Sequence, residues 1–161
     1  MRWGEITGLK RQRVDLLRRR LEVVETLEDI DGVLTFGQPK SARSRRTISL
    51  PPHLVEVMAR HFEGHRHELV FVSELGTAVR RSNFYSRIWV PATKAAGLSP
   101  APRFHDLRHS HVALLIAENV PMKAIQVRLG HASIVMPMDR YGHLLEETDD
   151  QVLDAIERRL G

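Results

Sequence analysis

Residues 105–143 read HDLRHSHVALLIAENVPMKAIQVRLGHASIVMPMDRYGH, and here the chain's helical pattern and its reactive side chains coincide. Pro100 and Pro102 force extended backbone just ahead of the stretch. Leu107, His111, Leu114 and Leu115 predict a helix with one buried stripe. Arg108 then flanks that stripe beside His105, three residues away and on the same face. Pro121 suits the first turn of a second helix. Met122, Ile125 and Leu129 supply its apolar face, and Gly130 a left-handed stop. From Ser133 a short helix is expected to lead to Tyr141, with Pro137 tolerable only in its first turn. His105, Arg108, His131 and Tyr141 are the side chains of this stretch suited to chemistry on a phosphodiester.

Outward from this segment, the sequence predicts a mainly α fold with one small antiparallel sheet, an α+β domain. Glu5, Ile6 and Leu9 read as the end of a helix that stops near Gly8. Leu21 to Leu27 alternate loosely and carry β-branched residues, as a strand does. Asp31-Gly32 is a hairpin signal, Val33 to Phe36 a second strand, and Arg46 to Leu50 a third. Lys40 falls in the turn between the second and third. After Pro51-Pro52, Leu54, Val57, Met58 and Phe62 have helical spacing. Leu69 to Val72 reads as a strand remnant. Ser82 is placed to cap a helix through Phe84, Ile88 and Trp89, kinked at Pro91 and ended by Gly97. A last helix is expected from about Thr148 to Leu160, with Val152, Leu153, Ile156 and Leu160 as its apolar face.

Composition sets the class. The 161 residues suffice for one core, and 42% hydrophobic with 27% charged residues is ordinary for a globular domain. The absence of cysteine excludes disulfides and thiolate metal sites. The apolar runs are too short to cross a bilayer, so no membrane association is expected and the reading is cytoplasmic. A net charge of +4 and a sequence pI near 9.9 suggest a polyanionic partner. Arg2, Lys10, Arg11, Arg13 and Arg18 to Arg20 form one basic cluster, and Lys40, Arg43, Arg45 and Arg46 another. Either cluster is equally a solvated face or a track for phosphates.

The order H-x-x-R, L-G-H, Y-G-H resembles the signature of the tyrosine recombinases, or phage-type integrases. The likeness extends through LRHSH, VPMKAIQVRLGHASI and MDRYGHL, through PKSARSRRTISLP, and to Arg2 and Glu5 in a G-[LM]-R-x-x-E-like start. It implies that residues 1–161 are a recombinase catalytic domain, lacking its first helices and an N-terminal DNA-clamping domain. It also implies that Tyr141 attacks phosphorus to form a 3′-phosphotyrosine, while Arg2, Arg108 and His131 hold the phosphate oxygens. Lys40 protonates the leaving 5′-oxygen, His105 assists proton transfer and Glu5 buttresses the site. Arg43, Arg45 and Arg46 contact DNA. The implied partners are double-stranded DNA and, in the full-length enzyme, further copies of the protein on that DNA. No cofactor is implied.

Elementary chemistry agrees with that division of labour. A phosphodiester repels nucleophiles, so an enzyme without a metal must bring cations to its oxygens and an acid to its leaving group. Arginine's fork stays charged and makes paired bonds. A phenol of pKa near 10 needs a base or strong local positive charge to react. Arg2 reads alternatively as a frayed terminal residue, and Lys40 as a loop lysine contributing charge alone. Two other functions compete. His105 and His109 have the i, i+4 spacing of a zinc helix, but Asp106 stands where its glutamate belongs and Arg108 would adjoin the metal. His61, His65 and His67 read as a polar loop. The other competitor is a non-catalytic DNA-binding remnant of an integrase. The six catalytic candidates are expected on one basic concave face.

Overall fold

The alternating residues of the first third pair as strands, but into two sheets where the sequence predicts one. The computed structural model describes residues 1–38, 44–64, 66–130 and 157–158. Strands β1 (Val14–Asp15), β2 (Arg20–Val23) and β5 (Arg46–Ser49) form an antiparallel sheet in the order β1-β2-β5. Its register sets Leu21 opposite Ile48 and Val23 opposite Arg46. Strands β3 (Thr26–Ile30) and β4 (Val33–Gly37) form a separate hairpin. The expected single strand over 21–27 is therefore two. Leu21 and Val23 are buried, and Glu25 is the next position in phase. A carboxylate is poorly suited to that core position; Glu25 pairs instead with Lys10 at 3.4 Å, and the chain begins a new sheet. The Asp31-Gly32 turn is as expected, with both residues at positive φ (51° and 82°), as a tight two-residue hairpin requires.

One core lies where β2 and β5 meet α2 (Pro52–Gly64). It joins Leu9, Leu21, Val23, Ile48, Leu50, Met58, Phe62 and Val70. Met58 and Phe62 are one helical turn apart, so α2 turns a single stripe inward. The strand remnant is two isolated bridges, Lys10 with Leu69 and Val72 with Ala78. Helix α1 (Trp3–Thr7) lies against β3 with almost no space between them. A Cβ on Gly4 would stand 2.6 Å from the Leu27 carbonyl oxygen.

Helix α3 (Arg81–Phe84) runs through a π turn (Tyr85–Trp89) into α4 (Val90–Ala95). Pro91 cannot donate to the preceding turn and its ring crowds that carbonyl, so the helix widens where a kink is expected. Arg80, not Ser82, precedes the first turn. Helices α5 (Asp106–Ala117) and α6 (Met122–Leu129) enclose the second core of Val112, Ile116, Ile125 and Leu129. Gly130 ends α6 at φ 66°. The face of α5 differs from expectation. Leu107 and Leu114 are 51% and 66% exposed, while Arg108, Val112 and Ile116 are buried. The β-branched pair packs against α6, and Arg108 can share its face because its guanidinium reaches a backbone carbonyl there. Among the described residues no helix is long and apolar enough to cross a membrane. The segments leading to Tyr141 and the last expected helix lie outside them, apart from Glu157 and Arg158, which are helical.

Candidate active site

Arg2 precedes α1 in extended backbone, and Glu5 closes the first turn back onto it. The Arg2 amide donates to Glu5 Oε2 at 2.7 Å and its Nη1 to Oε1 at 3.1 Å. These two donations from Arg2 to one carboxylate fix both side chains through local geometry. Glu5 is buried, and both its oxygens also accept from Arg46: Nη1 to Oε1 at 3.0 Å and Nη2 to Oε2 at 2.9 Å. Burial pushes the Glu5 carboxyl upward, but the hydrogen bonds from Arg46 and Arg2 prevail and hold its pKa at about 2.

Arg108 reaches the same region from α5. It is 6% exposed, and its Nη2 donates to the Leu129 carbonyl at 2.6 Å, at the end of α6. That carbonyl is an orphan acceptor at the negative end of a helix, so a cation belongs there. Its Nη1 has no partner, the single such buried side-chain nitrogen or oxygen among the described residues. Burial, then repulsion by Arg2 and Arg46, lowers the Arg108 pKa to about 10, against the pull of Glu5. Arg108 therefore stays cationic at neutral pH. His105 stands at the start of α5, its ring 5.2 Å from that of His109. Burial, then His109, Arg108 and Arg2, holds His105 below the usual imidazole range. Its neutral form, which can accept a proton, is thereby favoured.

Arg2, Glu5, His105 and Arg108 are thus brought into one electrostatic neighbourhood. The guanidiniums of Arg2 and Arg46 hold one carboxylate, and that of Arg108 lies within its electrostatic reach, so cations outnumber the anion in this region. An open cleft of about 460 Å³ adjoins it, lined by Arg2, Glu5, Thr26, Asp29 and Arg81 among others. Lys40, Arg43, His131 and Tyr141 lie outside the described residues. Arg45 is exposed and bonds Gln38. Arg46 departs from its expected place beside Arg43 and Arg45 as a DNA contact. Its side chain is 4% exposed, and four N–H donations go to Glu5, Ser44 and Arg128. The missed signal is the period of two in β5, which turns Arg46 to the same side as buried Ile48.

A second group escaped the sequence reading altogether. Trp3, Phe84, Trp89 and Phe104 form an aromatic cluster, with Trp3 5.1 Å from Phe84 and 5.3 Å from Phe104. The Tyr85 hydroxyl accepts a hydrogen bond from the Phe104 amide at 2.8 Å. Trp89 Nε1 donates to the Pro102 carbonyl at 2.8 Å. These contacts hold α1 and the approach to His105 against the same helix, so Arg2 and His105 share one frame. Among the described residues no group of three or more His, Cys, Asp or Glu is arranged to hold a metal ion.

Residues 1–148 match the family model described as the phage integrase family. The chain is 32% identical over 158 residues to a putative prophage phiRv2 integrase of Mycobacterium tuberculosis, covering 94% of this chain and 41% of that protein. It is 29% identical over 168 residues to the ICEBs1 integrase of Bacillus subtilis, covering 98% of this chain and 45% of that one. It therefore spans less than half the length of these relatives. The fold is shared with the Tn1549 transposon integrase, solved in complex with circular intermediate DNA. There the TM-score is 0.79 at 21% identity, over 98% of this chain and 55% of that one. It is also shared with XerA recombinase, at a TM-score of 0.69 and 20% identity over 98% and 53%.

Proposed function

Because the chain belongs to the phage integrase family of tyrosine recombinases, we propose that it is the catalytic domain of a longer site-specific recombinase. In this reading it cuts and rejoins duplex DNA through a 3′-phosphotyrosine. The observation that carries the reading is the Arg108 guanidinium: buried, cationic and holding one unpaired nitrogen within electrostatic reach of Arg2 and His105. Leaving a buried donor unpaired is costly unless an anion completes it. A phosphate is a fitting one, because arginine forks match its oxygens.

Arg2 and Arg108 would hold the non-bridging oxygens, with His131 as a third donor. The Tyr141 oxygen attacks phosphorus, and the bond to the 5′-oxygen breaks. Lys40 gives that oxygen its proton, and His105 assists proton transfer. Religation reverses the exchange, with the new strand's 5′-hydroxyl displacing the tyrosine, so no nucleotide cofactor is needed. The enzyme would act on double-stranded DNA as a homo-oligomer, together with a separate DNA-clamping domain. Arg43 and Arg45 would contact the backbone electrostatically.

Tyr141→Phe tests this on a nicked suicide duplex, whose short released strand diffuses away before religation. Covalent capture should be abolished, with duplex binding and thermal melting unchanged, since only the phenolic oxygen is removed. Acid-stable capture by the Phe protein would refute Tyr141 as nucleophile. Absence of any adduct with the unaltered protein, despite duplex binding, would favour the DNA-binding remnant.

A further inference from the structure

Arg46 connects parts of the chain that the reaction needs held together. It enters from β5, 41 residues from Glu5 and 82 from Arg128. Its Nη1 and Nη2 grip the two Glu5 oxygens, and its Nε donates to the Arg128 carbonyl at 2.8 Å. The next carbonyl, that of Leu129, accepts from Arg108. A continuous chain of bonds therefore runs from Arg2 through Glu5 and Arg46 to the end of α6, and from there to Arg108. We propose that Arg46 is a positioning residue for strand cleavage: it ties Glu5 and Arg2 to the last carbonyls of α6, and so sets Arg2 and Arg108 at a fixed spacing across one phosphate. This rests on the recombinase reading. Arg46 itself meets no phosphate, because it is buried and its donors point at protein acceptors.

The planar fork is essential to this role. Four donations in fixed directions reach a carboxylate, the Ser44 carbonyl and the Arg128 carbonyl simultaneously. Lysine keeps the charge, but its three tetrahedral donors on one nitrogen cannot span those acceptors. Misplacement of a reactive group by about an ångström slows a step by about a hundredfold. The defect should therefore appear in the cleavage step and not in DNA affinity.

The test uses the full chain with Arg46→Lys, and Glu5→Gln as a second variant that keeps side-chain shape. Single-turnover capture on the suicide duplex is measured against protein concentration, and nitrogen NMR follows the Arg108 guanidinium. Arg46→Lys should lower the saturated capture rate by roughly tenfold to a hundredfold, leave the half-saturating concentration unchanged, and speed rotation of the Arg108 guanidinium. Glu5→Gln should change the same two readouts in the same direction, less strongly. If Arg46→Lys does not fold, Glu5→Gln decides. A loss confined to DNA affinity would make Arg46 a DNA contact and overturn the proposal. So would unchanged Arg108 signals in a folded variant. If the unaltered protein forms no adduct, the recombinase reading fails separately, and the Arg108 signals still decide whether Arg46 positions it.

Discussion

Arg46 and Arg108 both carry their guanidinium inside the protein, yet their surroundings are opposite. Arg46 meets a carboxylate and two backbone carbonyls. Arg108 meets one carbonyl and keeps an unpaired nitrogen. A guanidinium that completes its bonds within the protein holds structure together. For one that cannot, folding alone gives little reason, and this is the ground for proposing an anion from outside.

The sharpest way to break the contrast is to remove each cation in turn. Arg46→Met leaves Glu5 buried without its main partner and should destabilise the fold by about 3–5 kcal/mol, measured by urea unfolding. A loss below about 1 kcal/mol would mean that Glu5 finds other support. Arg108→Met should show the reverse. Capture should fall by about 10²–10³-fold, as when one donor to a developing oxyanion is removed. Its unfolding free energy should be unchanged or about 1 kcal/mol higher, because an unsatisfied buried cation is gone. A smaller effect is expected with acid. The Glu5 pKa is held at about 2, below its ordinary 4.5, so its contribution is complete above pH 4.5 and is lost as pH falls toward 2. Denaturant melts across that window should show a shallower slope for Glu5→Gln than for the unaltered chain.

What the sequence made legible follows from how local each signal is. Asp31-Gly32, Pro121 and Gly130 act through their own backbone angles, so their turn, helix start and helix stop need no tertiary knowledge. Arg2, Glu5, His105 and Arg108 were singled out through motif, and the structure brings them within electrostatic reach of one another. The role of Arg46 was hidden because its partner lies 41 residues away and its immediate neighbours form a basic run. The inward face of α5 was misjudged because two leucines are exposed and an arginine is buried, which inverts the pattern on which helical faces are read. The split into two sheets turned on Glu25, whose charge interrupts an otherwise regular alternation. The aromatic cluster draws on positions 3, 84, 89 and 104, too far apart for any periodicity to reveal.

The long reach of Arg46 also bears on when the buried arginine network comes into being. Contacts between distant positions form only after loop closure has been overcome, so they come late in folding. A chain emerging from the ribosome as far as β5 already carries Arg2, Glu5 and Arg46, but not the carbonyls that end α6, nor Arg108. The chain must extend through α6, and α6 must dock on β5, before Arg46 and Arg108 can reach the Arg128 and Leu129 carbonyls. Under the proposed function, a growing or half-folded chain would have the charge to meet DNA long before it had the geometry to cut it.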